Sequence, residues 1–210
     1  MKAKIAIIGS GNIGWALRQL LIEDYEIVQG DITDGFDATD ISQVKEFLDG
    51  SDAVISAGPF AVNKTVAKAA AELGTGYFDL TEDVDTTEFI KSLKSSNILM
   101  PQCGLAPGAI NICAASMMQN FDSVNEVLMR VGALPRFTTN EMSYYLSWST
   151  NGLINEYCNE ADAIYEGKHI KAMPLEGAEK IVKQETVTEE VVNQLEMCLE
   201  KRDYRQDIVQ

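Results

Sequence analysis

The stretch that most constrains this chain is Lys4 to Leu17, KIAIIGSGNIGWAL. Ile5, Ala6, Ile7 and Ile8 form an apolar run that reads as a strand buried on both faces. The run breaks into Gly9, Ser10, Gly11, Asn12, Ile13 and Gly14, after which Trp15, Leu17, Leu20 and Leu21 repeat at helical spacing. This is GxGxxG between a strand and a helix. Gly9 permits a tight turn, Gly11 lets backbone N–H groups approach a pyrophosphate, and Gly14 allows close helix–strand packing. Phosphates would rest on the free N–H groups and positive dipole end of the new helix. Glycines also serve ordinary turns, so the alternative is a strand-to-helix turn that binds no nucleotide. Two features count against it. The motif opens close to the first residue, and a second apolar strand, Tyr25-Glu26-Ile27-Val28, ends in Gln29-Gly30-Asp31. Asp31 lies at about the spacing expected of a ribose-binding acid.

The 210 residues suffice for one complete Rossmann domain and part of a second. A net charge of −15 argues against nucleic acid as a partner. No apolar run approaches a membrane span, and Lys2 and Lys4 lead straight into a short core strand rather than a signal peptide. Cys103, Cys113, Cys158 and Cys198 form no CxxC spacing and His169 is the single histidine, so no metal site is expected. That cysteine usage suits the reducing cytoplasm.

Strands and helices alternate from Lys4 to about Met100, which predicts a doubly wound parallel α/β sheet. Asp40 is positioned to cap a helix over Ser42 to Leu48. Asp52 to Ser56 reads as the next buried strand, with Ala57-Gly58-Pro59-Phe60 at its carboxyl end, where ligands bind in such sheets. A helix over Asn63 to Leu73 carries an alanine-rich face. Tyr77 to Thr81 reads as a fifth strand, Thr86 to Ser95 as a helix and Ile98 to Pro101 as a sixth strand. Ile32 to Gly35 reads as a turn-rich loop, and Asp37 and Ala38 after it are placed for the adenine pocket, which the loop after the third strand of such domains commonly flanks; the alternative for Asp37 is a turn or capping aspartate. Residues 102–111 form a Gly/Pro-punctuated loop opening a helix to about Gln119. From Ser123 the character changes. Val124 to Val131 reads as a strand, Ser143 to Trp148 as strand-like, Asn151 to Cys158 as a helix, and Ala163 to Ile170 as strand, turn, strand. The tail after Lys180 is charged and helix-prone. The expected division is a Rossmann domain over 1–122 and a smaller, incomplete mixed α/β segment over 123–210.

Four blocks carry a resemblance: GSGNIG at Gly9 to Gly14, AAAELGTGYFDLTED at Ala69 to Asp83, CGLAPGAIN at Cys103 to Asn111, and YYLSWSTNGLINEY at Tyr144 to Tyr157. The first is common to Rossmann proteins. The last three, in this order, resemble the saccharopine dehydrogenase-like superfamily, which includes saccharopine reductases and lysine 6-dehydrogenases. The likeness covers about Met1 to Glu176. It implies a nicotinamide cofactor on the first domain and an amino acid or amine substrate beside the second, with hydride moving between the cofactor and a C–N carbon. Relatives are usually longer, so the resemblance also implies a shortened second domain. The competing reading is a non-catalytic NAD(P)-binding sensor or one subunit of a split dehydrogenase; a different Rossmann ligand, such as S-adenosylmethionine, fits the specific blocks poorly.

The expected cofactor contacts are Gly9 to Gly14, Asp31, Ile32, Asp37, Ala38, Ala57, Gly58, Pro59, Phe60 and Cys103. A carboxylate at Asp31 repels a 2′-phosphate and no arginine follows to neutralise one, which favours NAD, with NADP the alternative. Asp79, Glu82, Cys103 and Tyr145 are the catalytic candidates, and Gly104, Tyr145, Trp148 and Ser149 the substrate-binding ones. Asp79 and Glu82, at a strand's carboxyl end, could bind a cationic amine; surface charge and helix capping are the alternative. Cys103 could equally be a small buried hydrophobe. Tyr144, Tyr145 and Trp148 could wall an amine by cation–π contact or simply pack in a core. His169 has a suitable intrinsic pKa but sits beside the Gly167-Lys168 turn, as a solvated histidine would. An incomplete second sheet leaves an edge to cover, and a homodimer is the simplest cover.

Overall fold

The structure, a computed structural model, describes residues 2–131 and 150–174. The chain divides into two compact units, Met1–Ala109 with Val131–Tyr157, and Ile110–Arg130 with Cys158–Gln210.

The first unit is built on five parallel strands, β1 (Lys4–Ile8), β2 (Glu26–Gly30), β3 (Ala53–Ser56), β4 (Gly76–Asp79) and β5 (Leu99–Met100), in the order β2-β1-β3-β4-β5. The helices between them are α1 (Asn12–Leu21), α2 (Ile41–Leu48), α3 (Phe60–Leu73) and α4 (Val84–Ser92). This is a Rossmann-like α/β fold. The chain goes from β1 outward to β2, then returns to pair β3 on the other side of β1, so the strand order reverses between β1 and β3. The register pairs Gly30 with Ile8, Ile8 with Ser56, and Ser56 with Asp79. The carboxyl ends of four strands therefore end in one row, and the loops leaving them share one edge. Open α/β sheets bind ligands at such a switch point.

Ala6, Ile8, Val54 and Tyr77 from the sheet pack with Val44 and Leu48 of α2, Val66, Ala67, Ala69 and Ala70 of α3, and Ile90 of α4. The three fully buried alanines let α3 lie close on the sheet. Ile7 is also fully buried although its side chain alternates with Ala6 and Ile8, which is the two-faced burial expected of β1. Asp40 caps α2 by accepting the Ser42 N–H at 2.8 Å, as its position predicts. In α1 the expected apolar stripe is not a buried one: Trp15 and Leu20 are exposed.

The turn-rich loop expected over Ile32 to Gly35 is a single 3-10 turn over Ile32–Asp34; with no strand between β2 and β3, Gly76–Asp79 is the fourth strand and Leu99–Met100 the fifth, not the fifth and sixth expected. Asp31 and Asp37 each capture the N–H and hydroxyl of the threonine two residues on, which offers this backbone a turn in place of a ladder. The strand expected over 124–131 is also absent, those residues being irregular.

In the second unit, α5 (Ala109–Met118) runs on from the first, and β6 (Ala161–Tyr165) pairs antiparallel with β7 (Lys168–Ala172). Glu166 and Gly167 make their turn with φ of 48° and 73°, the two positive values a tight two-residue hairpin requires. Asp162 faces Lys171 across the ladder with an ion pair of 2.7 Å. The helix expected over Asn151 to Cys158 is α6 (Thr150–Cys158), which belongs to the first unit up to Tyr157. The strand-like residues 143–148 and the tail after Lys180 lie outside the described residues.

Candidate functional site

The β1–α1 turn is shaped by what its glycines cannot carry. Gly9 has φ of +106°, and a Cβ there would lie 2.9 Å from the carbonyl carbon and oxygen of Ala57. The turns after β1 and β3 thus touch at the switch point. A Cβ on Gly14 would lie 2.0 Å from the Gly9 oxygen, so α1 is pressed against the turn that starts it. Gln29 Nε2 donates to the same Gly9 oxygen at 2.9 Å, and Gly9 N–H donates to the Gly30 oxygen at 2.9 Å. Gly11 differs from both. A Cβ there meets nothing within 4 Å. Gly11 is the N-cap of α1, with no side-chain cap and no acid in the first turn. The first N–H groups of α1, which no helical carbonyl can accept from, and the positive end of its dipole therefore meet open space at Gly11. That arrangement fits a phosphate-bearing ligand. Ser10, Asn12 and Ile13 are exposed along the same edge.

Asp31 is the anion beside it. Its Oδ2 accepts the Ser10 N–H at 2.7 Å, and its Oδ1 accepts the N–H and hydroxyl of Thr33 at 3.0 and 2.9 Å. These donors, the Thr33 backbone first and the Ser10 backbone next, hold its carboxyl down at about 2. Ser10 N–H is committed to this carboxylate and is not free for a phosphate. Ile32 opens the 3-10 turn and is exposed. Asp37 accepts the N–H and hydroxyl of Thr39, which lowers its carboxyl below the usual range, while Ala38 packs against the core. Gly30 was not singled out from the sequence. A Cβ on it would lie 3.0 to 3.1 Å from the rings of Phe36 and Phe47, whose centroids stand 4.6 Å apart.

After β3, Ala57 donates its N–H to the Ile8 oxygen at 2.8 Å, and Pro59 caps α3, which begins at Phe60 rather than Asn63. A Cβ on Gly58 would meet only Val62, at 3.6 Å.

The structure takes Asp79 off the surface. It is fully buried, with Oδ2 accepting the Tyr77 hydroxyl at 2.6 Å and Oδ1 accepting the N–H groups of Thr81 and Gln102 at 2.9 and 3.1 Å. Burial pushes its carboxyl up, against the downward pull of Tyr77, Thr81 and Gln102. Burial and the Asp79 charge push the Tyr77 hydroxyl far above its ordinary range, so it stays a donor. Beside them Ser56 Oγ donates to Asn63 Oδ1 at 2.7 Å, both residues buried. Tyr77, Asn63, Ser56 and Gln102 were not singled out as site residues from the sequence, although Tyr77 lies inside the Ala69 to Asp83 block.

Cys103 follows Gln102, is exposed as a residue, and directs its Sγ to the Met100 oxygen at 3.4 Å. Partial burial of the sulfur and the nearby Asp79 push its thiol up. A Cβ on Gly104 would lie 3.2 Å from the Pro107 oxygen and 3.5 Å from the Leu80 oxygen. Glu82, in the loop after β4, is half-buried and acts on Glu156 of α6. The Glu156 carboxyl is raised first by desolvation and then by the Glu82 charge. Glu156 lies inside the NGLINEY stretch, yet spacing alone could not pair it with Glu82. Tyr144, Tyr145, Trp148 and Ser149 lie outside the described residues. His169 is exposed on β7, opposite Ile164. Among the described residues no three His, Cys, Asp or Glu side chains gather as metal ligands, and no helix is long and apolar enough to cross a membrane.

Residues 104–206 match the family model of the saccharopine dehydrogenase C-terminal domain. Among solved structures the chain is similar to a saccharopine dehydrogenase (L-Glu forming) from Saccharomyces cerevisiae, with a TM-score of 0.55 and 19% identity over 81% of this chain and 44% of that one. The chain therefore spans less than half the length of that protein, and the likeness speaks for the fold. Looser overlaps occur with an oxidoreductase from Sinorhizobium meliloti (TM-score 0.42, 14% identity, 57% of this chain and 42% of that one). Another is with an inositol dehydrogenase homolog complexed with NAD+ from Azotobacter vinelandii (TM-score 0.32, 18% identity, 57% and 38%). Neither adds to the assignment. The match of residues 104–206 to the saccharopine dehydrogenase C-terminal domain, together with the Rossmann-like sheet of the first unit, supports a saccharopine dehydrogenase-like superfamily member.

Proposed function

We propose that this chain is a nicotinamide-dinucleotide-dependent oxidoreductase acting on the C–N bond of an amino acid or amine. The observation that carries the reading is the uncapped start of α1 facing open space at Gly11, with the ionised Asp31 beside it. The N–H groups of the first turn of α1 would hold the pyrophosphate, and Asp31 would accept from the adenosine ribose hydroxyls. An anion at Asp31 opposes a 2′-phosphate, which favours NAD over NADP. Ala57 and Gly58, against Gly9 at the switch point, would flank the bound dinucleotide, and Cys103 and Gly104 would face the reacting ring from the loop after β5.

The cofactor would supply hydride acceptance or donation, and the protein the orientation of the two reacting carbons. The likeness to saccharopine dehydrogenases favours an amine as substrate. Glu156 supports that choice: desolvation and the Glu82 charge raise its cost of ionisation, and a cation placed near it relieves that cost. A homodimer remains part of the proposal.

The test is equilibrium binding of NADH and NADPH, followed by nicotinamide absorbance with a panel of amino acids and diamines. Binding of NADH in preference to NADPH, with turnover of one panel member, is the expected result. Binding without turnover of any member moves the assignment to a sensor or to one subunit of a split dehydrogenase. No binding of either dinucleotide overturns the reading.

A further inference from the structure

The row of strand ends holds one buried carboxylate that no ligand could reach. Asp79 ends β4 and is fully buried, and its partners are all the chain's own. Two of them, Gln102 and Cys103, lie 23 and 24 residues on, at the start of the loop after β5. Gln102 N–H donates to Asp79 Oδ1 at 3.1 Å, and Cys103 N–H donates to the Asp79 backbone oxygen at 2.7 Å. Between β5 and that loop the backbone does something side chains resist: Gln102 has φ of +66°, the left-handed region. A non-glycine residue stays there only where its surroundings over-determine it. The consecutive N–H groups of Gln102 and Cys103, both tied to Asp79, are that determination. The far side of the carboxylate is fixed in turn, since Oδ2 takes the Tyr77 hydroxyl at 2.6 Å and Tyr77 is itself fully buried.

Asp79 cannot then be the proton donor or amine ligand that its place at a strand end suggests. We propose that Asp79 is a positioning residue, a buried clamp whose Oδ1 sets the left-handed bend at Gln102 and thereby fixes the backbone of Cys103 and Gly104 at the edge where the dinucleotide site opens. Tyr77 holds the clamp in its rotamer. The inference rests on the proposed function only for the use to which the loop is put; the clamp itself is a property of the chain without any ligand.

The two oxygens have separate tasks, and that separates this role from simple core filling. Asparagine keeps an acceptor oxygen for Thr81 and Gln102, and its amide can donate to the Tyr77 oxygen, because a phenol hydroxyl accepts as well as donates. Alanine keeps nothing. Amide hydrogen exchange on the full chain, without dinucleotide, reads the loop directly. In Asp79→Ala the amides of Gln102 and Cys103 should exchange at least about tenfold faster while β1 and β3 keep their protection; Asp79→Asn should stay within about threefold of the parent. On chains so characterised, Asp79→Ala should weaken NADH binding about tenfold and Asp79→Asn hardly at all.

Unchanged exchange at Gln102 and Cys103 in folded Asp79→Ala overturns the clamp. So does an asparagine variant as loose as the alanine one. Should Asp79→Ala fail to fold, the Asp79→Ala/Gln102→Gly double variant is read in its place. Glycine takes the left-handed bend freely. A cooperative unfolding transition regained in the double variant supports the clamp, and a chain still unfolded overturns it. If the parent protein binds no dinucleotide, the proposed function falls, and the exchange data still decide the clamp.

Discussion

Two turns in this molecule do similar work by different means. Each leaves a parallel strand, passes through glycines and opens a helix. The turn after β1 is closed locally, by Gly14 pressed on Gly9 five residues away. The turn after β5 is closed from a distance, by Asp79 reaching Gln102, with Gly108 then folded back on Gly104. In the first, the glycines are the mechanism, so the motif is visible as spacing. In the second, the glycines only complete a bend that a buried carboxylate sets, and no spacing within the loop announces it.

The most damaging change should be Gly14→Ala. Its Cβ would sit 2.0 Å from the Gly9 oxygen, a backbone atom in the middle of the sheet edge. Better helix propensity returns at most about 1 kcal/mol. A loss of about 3 kcal/mol or more is expected, read as the shift of the urea midpoint. Gly108→Ala meets the Gly104 oxygen at the same 2.0 Å and also has φ of +138°. It lies in a loop of the sheet's outer end, which can give way locally, so a smaller loss of about 2 kcal/mol is expected. An equal or greater loss would mean that the second turn is as rigidly bound to the core as the first.

Asp31 should leave its mark on acid stability. Its folded carboxyl lies at about 2, below the ordinary aspartate value of 3.8. A depressed carboxyl stabilises the fold above its unfolded value, and that contribution is lost as the pH falls from about 4 toward 2. Asp31→Asn should flatten this part of a stability-against-pH curve and narrow the preference for NADH over NADPH. An unaltered curve would show that the donors from Ser10 and Thr33 bind the carboxylate no better than water does. Gly11→Ala should change stability least, by less than about 1 kcal/mol, because its Cβ meets open space. Dinucleotide affinity should nevertheless drop about tenfold, since that space is where the pyrophosphate is proposed to lie. Isothermal titration of the folded variant checks it, and unchanged affinity would move the phosphate elsewhere.

Much of the first unit was legible because its signals are local. The apolar run of β1 needs burial on both faces, and Asp40 needs only Ser42, two residues on, to cap a helix. Other features failed for the opposite reason. The count of a fifth and a sixth strand runs one too high, because between β2 and β3 Asp31 and Asp37 capture neighbouring threonines and the chain turns instead of pairing. Asp79 and Glu82 stand three apart and look alike in sequence, but one is sealed under Tyr77 and the other stays half-buried near Glu156.

By itself the sequence determined the strand–turn–helix start, the acid at the end of the second strand and the family resemblance, because each is written in residue type and short spacing. Only the tertiary structure decided which glycines are pressed and which face open space, which carboxylate is buried, and what holds the loop after β5. Those outcomes depend on a row of strand ends brought together by register, and register joins residues that lie 20 or more apart along the chain.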